Sequence, residues 1–419
     1  MALLPSELWL SIFEELIYEP TRTLEIGYEP FTEDEHITPT SAQAAEWMQR
    51  KCDIVLVCKT WRRLALPFLY EVLLVDSEAR ARMICGALEL TAEPSTPGNS
   101  LVDRGAFVRQ IYICAQWNQW HFFDEGAAGH HVPRIVQRCP NLTIFSYRIL
   151  ALDFILHPTF SSIVNSGAVQ SLRRLDLSGK LSASHLKSGE RGIGNLPNLE
   201  TLVLPSEVDG LRISKIGIRA PNVRTLVLSW EMYKIMTSHA SRFDLPKLRW
   251  IHILPINAIP PYTIFAAPGT SAIARTMNNK VVSFGFHQSS TSSLCVPFDL
   301  LAQFPNLEHA RLRVLSMATP ERRLHHPSIT CIALRPGRWS TRVLEGLRPN
   351  ETGRPIRGTL AKIDVIIEVL LAGHFPQLRR IQIVGPYRGT CADKMEWIGG
   401  WTKRLGERGI DFEISRTYE

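Results

Sequence analysis

The chain has 419 residues, 45% hydrophobic and 21% charged, an ordinary globular balance. Its formal charge of +7 is uneven: residues 1–50 hold ten acids against Arg22 and Arg50, about −8, which leaves about +15 for the rest. A basic body suits an acidic partner or simply aids solubility; without zinc-finger spacing or an RNA-recognition signature, nucleic-acid binding is not expected.

The chain begins LLPSELWLSIFEEL. Pro5 suits a first helical turn and Ser6 or Glu7 a helix N-terminus. Leu4, Leu8, Ile12 and Leu16 recur every four residues with Phe13 beside them, one apolar stripe on a short helix. A second piece, CDIVLVCKTWRRLALPFLYE, predicts one longer helix whose stripe is Ile54, Val57, Cys58, Trp61, Leu64, Ala65 and Leu69. Lys59, Arg62 and Arg63 lie off that stripe. Between the two, residues 17–46 are acidic and Pro-containing and read as an exposed inserted loop.

The string Leu4, Pro5, Glu7, Leu8, Ile12, Phe13, Leu16, followed by Val57, Cys58, Lys59, Trp61, Arg62, Leu64 and Ala65, resembles the F-box. The resemblance covers about a sixth of the chain. It implies a three-helix module that binds the Skp adaptor subunit of SCF-type ubiquitin ligases, and through it the cullin and RING subunits. Leu4, Pro5, Leu8, Ile12, Phe13, Leu16, Val57, Cys58, Trp61 and Leu64 would make that contact. The family joins its halves with about ten residues, whereas roughly forty separate Leu16 from Val57 here.

Val72–Val75 is β-branched enough for a first strand. A helix is expected at 77–91 and a loop at 93–100. From residue 105 an apolar spacing of i, i+3, i+5 returns, commonly after a Pro-Asn or Pro-basic pair. The triplets begin Val108/Ile111/Ile113 and Leu142/Phe145/Tyr147, and end Ile329/Ile332/Leu334 and Leu378/Ile381/Ile383. The last two apolar residues of each lie two apart, so both point to one side of a short strand, and the first fills the corner before it. This resembles the leucine-rich repeat.

The resemblance implies an α/β fold: an irregular repeat solenoid, or horseshoe, with parallel strands, behind an F-box-like helical module. The boundaries read 1–75 for the head and 76–419 for the repeats, with a cap at 391–419. That cap is a helix ending near Gly406 or Gly409 and a last strand through Phe412 and Ile414. The Asn or Cys that the family carries after the third apolar position is replaced by Lys180, Glu207 and Glu231, so irregular turns are expected. Excursions at 254–280 and 335–361 read as loops on one rim.

No nucleophile–base string, phosphate loop or metal motif appears, so no enzyme activity, cofactor or metal is expected. The eight cysteines lack C-x-x-C spacing and read as buried, reduced thiols of a cytoplasmic or nuclear protein, Cys58 among them as a packed thiol. His130–His131 and His325–His326 are adjacent pairs in loops, and adjacent side chains diverge. The run 363–375 is too short to span a bilayer and reads as a buried helix.

Residues alternating with the inward pairs should face the opposite, concave side. They include Arg174 and Asp176, Thr201 and Val203, Thr225 and Val227, Trp250 and His252, His309 and Arg311, and Arg380 and Gln382, with Arg313 and Arg335 at strand ends. Trp250, His252, His309, Arg311, Arg313 and Arg380 are the candidate contacts for a protein substrate carrying an acidic or phosphorylated segment. The leading expectation is a substrate-recognition adaptor of an SCF-type ligase. The alternative is a repeat scaffold working without a cullin.

Overall fold

The computed structural model describes residues 4–17, 41–89, 103–113, 131–147, 153–177, 181–182, 193–204, 208–209, 218–254, 279–286, 301–314, 325–336, 367–368, 370–384 and 391–415. The predicted loop at 93–100, nearly all of those at 254–280 and 335–361, and most of the acidic spacer lie outside them. The chain divides into two compact units. One runs to Val223 and includes Arg242–Pro246; the other holds Arg224–Ser241 and Lys247–Glu419.

The first unit opens with three helices, α1 (Ser6–Leu16), α2 (Ser41–Val57) and α3 (Lys59–Glu71). Two expectations are corrected here. The loop predicted to reach residue 46 gives way to helix at Ser41. The single long helix predicted through 54–69 is broken at Cys58, whose extended backbone (φ −160°, ψ 169°) lets its thiol cap α3 by accepting a hydrogen bond from the Trp61 amide at 3.4 Å. Helix α3 continues through Pro67 to Glu71.

Strand β1 (Val72–Val75) follows directly. Then come α4 (Glu78–Glu89), β2 (Gln110–Ile113), α5 (His131–Gln137), β3 (Ile144–Tyr147), α6 (Asp153–Val164), β4 (Arg174–Asp176) and β5 (Thr201–Val203). These five strands are parallel and lie side by side in chain order. The second unit repeats the rule with β6 (Thr225–Ser229), α7 (Trp230–Ser238), β7 (Trp250–Leu254), β8 (Ser283–Phe286), β9 (His309–Val314), β10 (Cys331–Pro336), β11 (Arg380–Val384), α8 (Cys391–Gly406) and β12 (Asp411–Ser415). The fold is therefore mixed α/β, with each unit built on parallel strands.

The repeat spacing sets the register. Leu73, Ile111, Phe145, Leu175 and Leu202 stand opposite one another on successive strands of the first unit. In the second unit Leu226, Ile251, Phe284, Ala310, Ile332, Ile381 and Phe412 do the same. Every triplet member whose side chain is described is buried, most of them completely. A one-residue slip of any strand would turn its apolar pair to the opposite face, so burial fixes this register strongly.

The turns before the strands carry a side-chain ladder at a position the sequence marked only as Pro-Asn. Asn141 Nδ2 donates to the Ala106 carbonyl at 2.8 Å and Asn198 to Gln170 at 2.7 Å. Asn222 donates to Pro197 in the same manner. Ser171 Oγ donates to the Pro140 carbonyl at 2.8 Å. In the second unit Asn306 donates to Asn279 at 2.7 Å and Ser328 to Pro305 at 2.7 Å. Each of these turns is thus tied to an earlier one. Asn198→Ala should cost about 1 kcal/mol, the net worth of one such bond, read as a lowered urea midpoint at unchanged slope.

At the far end, α8 stops at Gly406 and Gly409 takes φ 71°, the left-handed conformation that glycine adopts without Cβ strain. Trp397 packs edge-on against Phe412 at 5.8 Å, and Trp401 and Leu405 are buried. Arg404 forks onto the Glu368 carboxylate. The helix and the last strand predicted for this segment are both present. In the run predicted as a buried helix, the described residues Ile367 and Leu370 are helical and buried.

One titratable contact in the first unit is half-buried at a cost. Glu78, first residue of α4, lies 3.4 Å from His131 Nε2 at the start of α5, which is helix rather than the predicted loop. Neither carboxylate oxygen accepts a hydrogen bond. Burial pushes the Glu78 carboxyl from its ordinary value near 4.5 up to about 7, against the attraction of Arg82. The folded state therefore holds the proton more tightly than the unfolded chain does. Stability should fall as pH rises from about 4.5 through about 7. Glu78→Gln should flatten that slope in thermal melts taken across the same window.

Candidate functional site

The head separates two faces of the same short helix. Phe13 and Ile17 of the α1 segment close on Ile54 and Ala65, with Trp9, Val55, Trp61, Leu64 and Phe68 packed around them. Trp9, Phe13 and Trp61 form an aromatic triangle. Its centroids are 5.9 Å apart between Trp9 and Phe13, 4.7 Å between Trp9 and Trp61, and 5.0 Å between Phe13 and Trp61. Ring contacts at these distances add to simple burial. Pro5, extended at φ −54° and ψ 147°, starts the helix by accepting the Leu8 and Trp9 amides on its carbonyl at 3.1 and 3.2 Å.

On the other side Leu4, Leu8, Ile12 and Leu16 remain 45%, 50%, 38% and 53% exposed. Leu56 and Val57, at the end of α2, are 79% and 58% exposed. Pro5 and Cys58 are exposed as well. Three of the ten predicted contact residues are placed differently. Phe13 is fully buried, and Trp61 and Leu64 pack against it. The reason is geometric: Phe13 is one residue out of phase with the four-residue stripe, which rotates it by about 100° toward α2 and α3. Cys58 corrects in the opposite sense, since the break between α2 and α3 carries it to the surface. Leu10 and Leu56 are exposed apolar residues that the four-residue spacing did not pick out.

The body departs further from expectation. Arg174, Asp176, Thr201, Val203, Thr225, Val227, His252 and Arg311, predicted to line an open concave face, are all buried. Parallel strands are ordinarily covered on both faces, and these follow that rule. The sequence already made room for two of the large members, His252 and Arg311. His252 stands opposite Gly285, where an added Cβ would lie 2.3 Å from His252 Nδ1. Arg311 lies between Gly285 and Ala333 on the neighbouring strands.

Of the predicted substrate contacts, Trp250 and His309 are half-buried and Arg380 is exposed. The Arg313 side chain lies outside the described residues. Burial lowers the His309 pKa, Glu308 opposes that, and Arg380 adds to it. Burial also pushes the Cys331 thiol up to about 11, so it is protonated at neutral pH. Arg380 is partly neutralised by Glu413 at 3.8 Å. Among the described residues no group of three or more His, Cys, Asp or Glu is placed to hold a metal ion. None of the described helices is long and apolar enough to cross a membrane.

No protein-family model matches the chain, and no curated protein matches it. Among solved structures it is similar to the crystal structure of a Bacteroides fragilis protein. The two are 11% identical, over 76% of this chain and 69% of that one, with a TM-score of 0.29. That likeness is too low to bear on either fold or function.

Proposed function

We propose that the chain is a non-catalytic substrate-recognition adaptor of an SCF-type ubiquitin ligase. The head binds the Skp subunit, and through it the cullin and RING subunits. The body, a leucine-rich-repeat-like solenoid, receives a protein substrate. The observation that carries this reading is the split helix α1. Its Phe13 face completes the core of the head, while Leu4, Leu8, Ile12 and Leu16 stay outside that core. Apolar side chains aligned this way are the pattern of a helix awaiting a groove. Burying a fully exposed side chain of this size is worth about 1.5–3 kcal/mol; these four, about half exposed, each contribute part of that toward the cost of association. Pro5, Val57 and Cys58 are exposed as well.

In this reading the protein supplies proximity and the ligase supplies the chemistry, in the cytoplasm or nucleus. The alternative is a repeat scaffold that binds without a cullin. Purification of the tagged chain from native lysate separates the two. Co-purification of both Skp and cullin subunits supports the adaptor, and Skp alone or neither supports the scaffold.

A further inference from the structure

The second unit carries an unneutralised basic corner where its strands begin. The residue just before each strand lends its carbonyl to the next: Arg224 accepts the Arg249 and Trp250 amides, both at 2.9 Å. Arg249 in turn accepts Val282 at 2.8 Å and Ser283 at 3.2 Å. Arg224, Arg249 and Val282 are therefore consecutive rungs, with Arg224 and Arg249 on adjacent strands. Like charges on adjacent strands repel. Lys280 sits two residues before Val282, in the turn leading to β8.

Arg224, Arg249 and Lys280 are all exposed, and among the described residues none of them forms an ion pair. The same position in the first unit is treated differently, since Arg173 there faces Glu200 at 3.9 Å. Farther along the second unit Glu308 lies beyond Val282, and Glu413 sits beside Arg380, so the positive charge concentrates at β6 to β8.

We infer that this corner binds an acidic peptide segment. Arg224, Arg249 and Lys280 engage its carboxylates or phosphates. Adjacent strands lie roughly 4.8 Å apart and alternate side chains of an extended peptide about 6.6 Å apart, so long arginine side chains on neighbouring rungs reach acidic groups of one short segment. Arginine forks suit both carboxylate and phosphate. A patch this short offers no run of stacking platforms for a nucleic-acid strand. The site deepens the reading of the body as a substrate receiver by naming the chemistry of the segment. It differs from the predicted set because His252 and Arg311 lie in the core.

The test is fluorescence anisotropy on the full chain without any ligase subunit, so its failure leaves the head reading untouched. The probes are a dye-labelled peptide with alternating aspartates, the same peptide with phosphoserines, the same with asparagines, and a single-stranded oligonucleotide. The expected result is binding of the aspartate or the phosphoserine peptide, whichever the natural segment resembles. That affinity falls at least tenfold in Arg224→Glu/Arg249→Glu but little in Arg109→Glu/Arg138→Glu, which changes net charge equally on the first unit. All four residues are exposed, and unchanged melting temperatures verify folding. Equal binding of the asparagine peptide, tighter binding of the oligonucleotide, or equal losses in both double variants would overturn the inference.

Discussion

Phe13→Ala is expected to unfold the head and leave the parallel strands standing. Phe13 is fully buried and touches the rings of Trp9 and Trp61 at 5.9 and 5.0 Å. Truncating a buried Phe costs about 3–5 kcal/mol, the lost transfer energy plus the cavity left behind. Three short helices around one small cluster have little to spare. Proteolytic nicking within 6–71 and collapse of the near-ultraviolet signal from Trp9 and Trp61 would report the loss. Leu8→Ala is the contrasting substitution. Half of that side chain already meets solvent, so stability should change by about 0.5 kcal/mol or less. The two side chains lie on one helix five residues apart, yet one should cost folding and the other only partner binding.

Gly105→Ala should be the more damaging of two glycine substitutions within the first unit. A Cβ at Gly105 would stand 1.8 Å from the Arg138 carbonyl oxygen and 2.8 Å from its carbon, both backbone atoms. Neither side yields easily. Asp103 accepts the Gly105 amide at 3.0 Å, and the next residue, Ala106, is tied by Asn141 at 2.8 Å. Overpacking of this kind costs typically up to about 3 kcal/mol, so the urea midpoint should fall well below that of wild type. Gly86→Ala meets no atom within 4 Å and lies inside α4. There the change should stabilise by somewhat under ~1 kcal/mol through helix propensity.

How much of this was legible beforehand depended on the kind of signal. The i, i+3, i+5 spacing carried its phase without an alignment, because both of its consequences are local: the alternation of a strand and the corner before it. Ile111, Phe145 and Leu175 line up as that spacing requires. The last helix end and the strand after it were legible because Gly409 and the Phe412/Ile414 pair punctuate them. Burial of the second face was not. Alternation says that Thr201 and His252 point away from Leu202 and Ile251, but not whether that side is covered. The exposed α1 stripe was legible from Leu4, Leu8, Ile12 and Leu16. Phe13 was misjudged because a pattern on one helix does not say where neighbouring helices lie. The break at Cys58 escaped notice because an apolar periodicity runs through it, and a cysteine cap carries no strong sequence mark. The Asn ladder was half-visible, as Pro-Asn pairs whose side-chain partners lie a whole repeat away.

The most direct measurement is calorimetric titration of the purified chain with a recombinant Skp-type subunit, wild type beside Leu8→Ala/Ile12→Ala. A saturable complex for the wild type, strongly weakened in the double variant while its melting temperature holds, is the predicted outcome. No heat of binding for the wild type, or equal affinity for both proteins, would contradict the assignment of the α1 face.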